Sequence, residues 1–333
     1  MPELRKDPIT GRWVVVSTDR LKRPNDFLVQ RATVIGREHC PFCPGHESMT
    51  PPEVLAYRHS GSANQPGWDL RVVPNRFPAL RVEGTLEREG EGMFDRMTGI
   101  GAHEVVIEHT DHDKTFATMT EQEIARVLAA FRDRVHDLKN DIRFRYILLF
   151  KNQGAGAGAT LEHGHSQLMA LPIVPDFVLE EIEGARRHYH EKERCVFCDV
   201  VRQETTDGRR IIHENSDVVA IAPYASRVPF ETWILPRSHA SRFEDAPENV
   251  INSLASMLKQ LVARLDRALD TPPYNLIIHS APLAAHDVAP FFHWHVEVMP
   301  RVSRVAGFEW GSGFYINPTS PEEATEVLRA VRL

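Results

Sequence analysis

Two tightly spaced cysteine pairs, Cys40-Pro41-Phe42-Cys43 and Cys195-Val196-Phe197-Cys198, are each followed far downstream by a histidine-x-histidine run, His163-Gly164-His165 and His293-Trp294-His295. The apolar patterns between pair and run recur in the same order. In the first half these are a strand pattern over residues 104–109, a helical period through Ile124, Val127, Leu128, Phe131, Val135 and Leu138, and a strand, YILLF, over 146–150. In the second half they are TWILPRSH, a helix within residues 249–266 with an apolar face of Val250, Ile251, Leu254, Met257, Leu258, Leu261 and Leu265, and YNLIIHS. The chain is therefore read as an internal duplication, and its 333 residues suffice for two copies of one fold. Further strands are expected at RWVVVS, from Trp68 onward and at DVVAIAP. Thr120 and Glu123 form a capping box ahead of the first helix. The expected class is α+β, with halves at 1–175 and 176–333 joined by a charged, helical connector, EEIEGARRHYHEKER. Each half is an antiparallel sheet carrying a packed helix, and a pseudo-two-fold axis relates the two.

All four cysteines lie in the two pairs, which in a reducing compartment points to metal or redox chemistry ahead of structural disulfides. The duplicated histidines select metal. The spacing assigns Cys40, Cys43, His112 and His163 to one site and Cys195, Cys198, His239 and His293 to the other. Two thiolates with two imidazoles suit zinc, one or two ions per chain, in closed structural sites. His109 competes with His112, and His39 or His46 with the first set. Redox chemistry is the alternative for each pair, although neither stands in a thioredoxin-like context.

A formal charge of −7 argues against a nucleic-acid-binding surface, and no Lys/Arg tract makes a local exception. The polyanion this chain handles is small. Arg20, Lys22 and Arg23 cluster before a proline and suit either a phosphate clamp or a solvated basic loop. The opening residues, MPELRKDPITG, lack an apolar signal core, and no apolar run is long enough to span a bilayer; a cytoplasmic protein without a membrane partner is expected.

Chemistry concentrates in residues 152–167, N-Q-G-A-G-A-G-A-T-L-E-H-G-H-S-Q. Alternate glycines let backbone N–H groups approach a phosphate closely. With His163 on a metal, His165 is free to attack phosphorus, one ring nitrogen acting while the other N–H fixes the tautomer. Gln167 projects from the same face of an extended segment and can donate to a phosphoryl oxygen, but it cannot deliver a proton. A sugar phosphate leaves as a stable anion without needing one. The residues thus favour moving a nucleotidyl group between phosphates over hydrolysing a phosphoramidate. A non-catalytic, zinc-stabilised nucleotide-binding protein is the contrasting reading, and it leaves His165 and Gln167 unused.

These motifs resemble the galactose-1-phosphate uridylyltransferase family, a double-repeat member of the histidine-triad superfamily, over nearly the whole chain. The family's H-P-H-x-Q stands here as His163-Gly164-His165-Ser166-Gln167, glycine replacing proline. The resemblance implies two fused histidine-triad-like repeats, a homodimer, and a ping-pong reaction in which His165 takes UMP from UDP-glucose and passes it to galactose 1-phosphate. It further implies phosphate contacts from Arg20 and Arg23, a uridine or ribose contact from Asn75, nucleotide-phosphate contacts from Asn152, Gly158, Thr160 and Gln167, and hexose contacts from Phe308 and Glu309. Arg76 stands where the family has an acidic residue, and the second cysteine pair resembles ADP-glucose phosphorylase, a relative with the same histidine chemistry. That branch implies ADP-glucose and phosphate as substrates. His295 is expected to have a structural or substrate-wall role, because no glycine loop precedes it.

Overall fold

The computed structural model describes residues 3–16 and 36–333. Arg20 and Arg23 lie outside the described residues. In chain order, a hairpin of β1 (Glu3–Lys6) and β2 (Trp13–Val16) precedes β3 (Leu55–Arg58) and β4 (Trp68–Pro74). A small hairpin, β5 (Arg88–Glu91) and β6 (Phe94–Met97), leads to β7 (Ala102–Ile107), α1 (Glu121–Leu138), β8 (Tyr146–Gln153) and β9 (His165–Leu171). Helices α2 (Asp176–Lys192) and α3 (Val196–Asp207) connect to β10 (Ile211–Glu214), β11 (Val218–Ile221), β12 (Thr232–Pro236), α4 (Glu248–Leu269), β13 (Tyr274–His279) and β14 (His295–Pro300). The described chain closes with α5 (Gly307–Ser312), β15 (Tyr315–Asn317) and α6 (Pro321–Ala330).

The two repeats share one ten-stranded sheet in the order β10-β11-β12-β14-β13-β8-β9-β7-β4-β3. Read outward from the β8–β13 junction, β8-β9-β7-β4-β3 corresponds strand for strand to β13-β14-β12-β11-β10, so the expected pseudo-two-fold axis passes through that junction. The junction is antiparallel, with Phe150 opposite Ile277 and Asn152 opposite Asn275. Joining the sheets edge to edge covers one free edge of each repeat, which would otherwise expose unpaired backbone groups.

One face of the sheet carries α1 and α4 side by side, with α6 against α4. The core there joins Ile124, Val127 and Phe131 of α1 and Leu254, Leu258 and Leu261 of α4 to Val106, Leu168, Ile234, Ile278 and Val296 of the strands. Both helices follow the apolar spacing read from the sequence. α4 runs to Leu269, past the expected end at residue 266, because nothing between Arg267 and Leu269 breaks a helix and the turn comes at Asp270, with φ of 55°. The opposite face is divided. In the second repeat it is closed by α2 and α3 around Val178, Ile182, Phe197, Trp233 and Phe292. In the first it is covered by the loop around Cys40 and Cys43.

Thr120 Oγ1 accepts from Glu123 N while the Glu123 carboxylate accepts from Thr120 N, the reciprocal arrangement that satisfies two otherwise orphaned donors at the start of α1. Burial would raise the Glu123 carboxyl, but the bonds from Thr120 and His109 outweigh it and hold the group down at about 2. This contribution is therefore complete above the unfolded value of 4.5 and is lost as pH falls toward about 2. Thr120→Ala is expected to cost about 1 kcal/mol in urea unfolding at neutral pH. The stability gap between the wild type and Glu123→Gln is expected to shrink steadily as the same titration is repeated at pH below 4.5.

Candidate active site and metal centres

Cys40, Cys43, His112 and His163 present one donor atom each within 4.8 Å of one another, and so do Cys195, Cys198, His239 and His293. At the first group Cys43 Sγ lies 3.4 Å from His112 Nδ1 and 3.6 Å from His163 Nδ1, and Cys40 Sγ lies 3.7 Å from His163 Nδ1. Metal–sulfur and metal–nitrogen bonds of about 2.3 and about 2.1 Å at a tetrahedral angle put sulfur and nitrogen about 3.6 Å apart. The donor set thus fits a tetrahedral cation. His163 Nε2–H donates to the His109 carbonyl at 2.7 Å, which leaves Nδ1 as the lone pair facing the thiols. Burial and the neighbouring Cys40 push the Cys43 thiol up to about 11, a cost that a bound cation relieves.

The second group repeats this geometry. Cys198 Sγ is 3.3 Å from His239 Nδ1 and 3.5 Å from His293 Nδ1, and the two rings cross at 85°, as against 82° for His112 and His163. His239 and His293 donate through Nε2 to the carbonyls of Ala289 and Pro236. The first cysteine pair sits in turns, as its prolines and Gly45 require. The second opens α3, because Val196 and Phe197 do not interrupt a helix. His109 and His46 take supporting places beside the first group: the His109 carbonyl receives His163, and His46 Nδ1–H donates to the Cys40 carbonyl at 2.7 Å.

His165 begins β9 on the same face. Its Nδ1–H donates to the His163 carbonyl at 2.8 Å, so Nε2 carries the free lone pair, and burial lowers its pKa and keeps the ring neutral. On the other side of the strand, Ser166 Oγ–H donates to Glu108, and Lys151 Nζ donates to both Glu108 oxygens, at 3.0 and 2.8 Å, and to the His165 carbonyl at 3.2 Å. Lys151 and Glu108 are fully buried. This network occupies the space behind Gly164, where an added Cβ would lie 2.9 Å from the Lys114 carbonyl oxygen and 3.1 Å from Glu108 Oε2. A proline there would force the Lys114 carbonyl and Glu108 to shift; buried polar contacts hold the turn in its place.

Gln167 Oε1 lies 2.7 Å from His103 Nε2. Asn75 is beside the same ring, its Nδ2 3.1 Å from His103 Nε2. Asn152 reaches across the repeat junction to Asn275, whose Nδ2 donates to Asn152 Oδ1 at 2.8 Å. Gly158 ends the glycine loop with φ of 94°, and Thr160 lines a cleft of about 410 Å³ together with His112, Gln153, Asp266 and Tyr274. Phe308 and Glu309 stand apart on the short helix α5, where Glu309 accepts from Ala306 N at 3.0 Å. Among the described residues, no hydrogen bond joins them to His165 or its neighbours. His103, Glu108 and Lys151 were not singled out from the sequence. The signal for His103 was its place on β7 two residues before Val105, the partner of Gln167 across the strands.

The second repeat is built differently at the equivalent point. His295 keeps the same tautomer, Nδ1–H donating to the His293 carbonyl at 3.1 Å, but it is wholly buried and stacked on His279 with centroids 4.7 Å apart. Glu297 replaces Gln167. Glu181, His279, His295 and Glu297 form a third group of converging donors, harder in character than the cysteine sets. Burial alone would lower His279, yet Glu181 and Glu297 drive it up to about 10. Asp7, Ile9, Thr10 and Arg12 of the N-terminal hairpin line the small space above these residues and close it.

A two-repeat fold with duplicated Cys2His2 clusters, each followed by a second histidine two residues on, defines a class of nucleotidyltransferase-type enzymes. The family models for galactose-1-phosphate uridyl transferase match here, the N-terminal domain over residues 1–175 and the C-terminal domain over 181–332, and the chain belongs to that family. ADP-glucose phosphorylase of Arabidopsis thaliana is 37% identical, covering 100% of this chain and 93% of that protein. Galactose-1-phosphate uridylyltransferase of Thermotoga maritima is 32% identical, covering 99% and 98%. Among solved structures, an ADP-glucose phosphorylase from Arabidopsis thaliana with bound ADP-glucose superposes with a TM-score of 0.85 at 36% identity over 100% of both chains. A uridylyltransferase superposes with a TM-score of 0.76 at 25% identity over 99% of this chain and 98% of that one.

Removing Lys151 leaves Glu108 buried without its cation, with only Ser166 Oγ–H still donating to it. Lys151→Met is therefore expected to cost about 3–5 kcal/mol in chemical unfolding. Cys40→Ser is expected to lower bound metal by one equivalent in elemental analysis and to lower the melting temperature, with the second cluster still loaded.

Proposed function

We propose that this chain transfers a nucleotidyl group between phosphates through a covalent nucleotidyl-His165 intermediate, taking UMP from UDP-glucose and passing it to a hexose 1-phosphate such as galactose 1-phosphate. The observation that carries this reading is the 2.8 Å bond from His165 Nδ1 to the His163 carbonyl, which leaves a neutral Nε2 as nucleophile. Nε2 attacks the α-phosphorus, the bond from that phosphorus to the bridging oxygen breaks, and hexose 1-phosphate departs with the electron pair. Nδ1–H, held by the carbonyl, supports the positive charge left on the ring. The acceptor's phosphate oxygen then attacks phosphorus and the P–N bond breaks, restoring neutral His165. No proton moves, in keeping with Gln167 as the neighbouring polar group.

Asn75, Asn152, Gly158, Thr160 and Gln167 are the contacts for the nucleotide in this scheme, with Arg20 and Arg23 for phosphate and Phe308 and Glu309 for the hexose. Cys40, Cys43, His112 and His163 would hold one zinc ion, and Cys195, Cys198, His239 and His293 a second. Four protein donors leave no open position, so zinc supplies rigidity there. A second reading, ADP-glucose as donor and inorganic phosphate as acceptor, is favoured by Arg76 at the acidic position of the family and by the 37% identity to a protein of that name. Either reaction suits a cytoplasmic homodimer, and the four free cysteines suit a reducing compartment. Among the described residues, no helix is long and apolar enough to cross a membrane.

Incubation with UDP-glucose or ADP-glucose, each without acceptor, followed by intact mass measurement, tests the proposal. A uridylyl adduct is expected on the wild type and none on His165→Gly, whose metal content stays unchanged. An adenylyl adduct alone selects the second reading. Tight nucleotide binding with no adduct from either donor overturns both.

A further inference from the structure

Three amide side chains face the site, and an amide can present either its oxygen or its NH2 to a ligand. Which end faces outward is settled by the partners of the other end. Ala79 N donates to His103 Nδ1 at 3.2 Å, and a backbone N–H can only donate, so Nδ1 is the acceptor and the proton of this neutral ring sits on Nε2. Nε2–H then donates to Gln167 across 2.7 Å, which makes the receiving atom Oε1 and turns the NH2 of Gln167 toward the site. Asn75 Nδ2, 3.1 Å from the same Nε2, forms no bond there, because that nitrogen cannot donate to Gln167 and accept from Asn75 together.

The same logic applies to the other two amides. Asn75 Oδ1 accepts from Phe77 N at 2.9 Å, so the end left without an acceptor is its NH2, which lies beside the His103 ring. Asn275 Nδ2 donates to the Ala157 carbonyl at 2.9 Å, and a carbonyl can only accept, so the Asn275 atom facing Asn152 is also the donor. Asn152 therefore receives on Oδ1 and turns Nδ2 toward Gly158, where a Cβ built on that glycine would lie 3.7 Å away. Every one of these oxygens is tied back into the protein.

We infer that His103 is a positioning residue that fixes Gln167 with its NH2 outward, and that the site is thereby a preset surface of N–H donors matched to phosphoryl oxygens. This deepens the nucleotidyl-transfer reading and rests on it. Phosphoryl oxygens only accept, so an amide turned the other way would set oxygen against oxygen as charge gathers on them. The preset removes that reorganisation from the reaction step. Asn275 extends the device across the repeat junction: the second repeat, whose own histidine is sealed, orients an amide for the first.

Two substitutions separate positioning from space filling. His103→Asn keeps an acceptor near Ala79 N but puts no donor beside Gln167. His103→Gln places an amide NH2 where Nε2 stood. In single-turnover adduct formation, His103→Asn is expected to slow the rate constant toward the ~100-fold loss that follows removal of one oxyanion donor. His103→Gln is expected to recover most of the rate, and metal content and melting temperature should stay near wild type in both. In a Gln167→Ala background, His103→Asn should add little. Equal rates for Asn and wild type, equal losses for Asn and Gln, or additive losses in the double variant would overturn the inference. The ¹⁵N shifts of the His103 ring test it independently of turnover: the Nε2–H tautomer is expected, and an Nδ1–H tautomer overturns it. A wild type that forms no adduct while showing Nε2–H condemns the transfer reading alone.

Discussion

A carboxylate and an ammonium sealed from water determine where His165 sits. Glu108 follows β7 and Lys151 lies on β8, the two strands that flank β9, and they meet behind it, where Ser166 and the His165 carbonyl complete their bonding. Burying such a pair gives little net stability, since desolvation offsets the attraction. What it gives is position. Side chains alternate faces along a strand, so fixing Ser166 and the backbone on the inner side dictates the direction of the ring on the outer side. The close packing of Gly164 belongs to the same arrangement.

The two repeats show how far one backbone can be diverted by what fills it. Both hold a Cys2His2 cluster whose imidazoles cross nearly at right angles, and both aim an Nδ1–H at the carbonyl two residues back. They differ in the space in front of Nε2. At His165 that space lies over the sheet face that also carries the amides of Asn75, Asn152 and Gln167. At His295 it is occupied by α2, by Glu297 in place of Gln167, and by the turn of the N-terminal hairpin. Charge balance then takes over, with Arg227 paired to Glu231 and Glu297.

Much of this was legible in the sequence because it is local or repeated. The capping box at Thr120, the apolar faces of α1 and α4 and the strands at Tyr146 and Tyr274 follow from spacing alone. The four-residue Cys/His sets followed from duplication, which turned two weak patterns into a shared one. The continuous sheet was not legible, because nothing within residues 146–153 or 274–279 names its partner. His103 reads as one polar residue of a half-buried strand, and Lys151 as a charge at a strand end; their roles arise from contacts with Gln167 and Glu108, far away in sequence.

The β8–β13 junction has a consequence for the order of assembly. Asn275 binds Asn152 and Ala157, 123 and 118 positions earlier in the chain. Contacts of such long range form late, after local helices and hairpins have closed their own loops. The glycine loop therefore receives its last constraint only when the second repeat docks, so a ribosome-bound chain that carries the whole first repeat still leaves this loop incompletely tied until its distant half arrives.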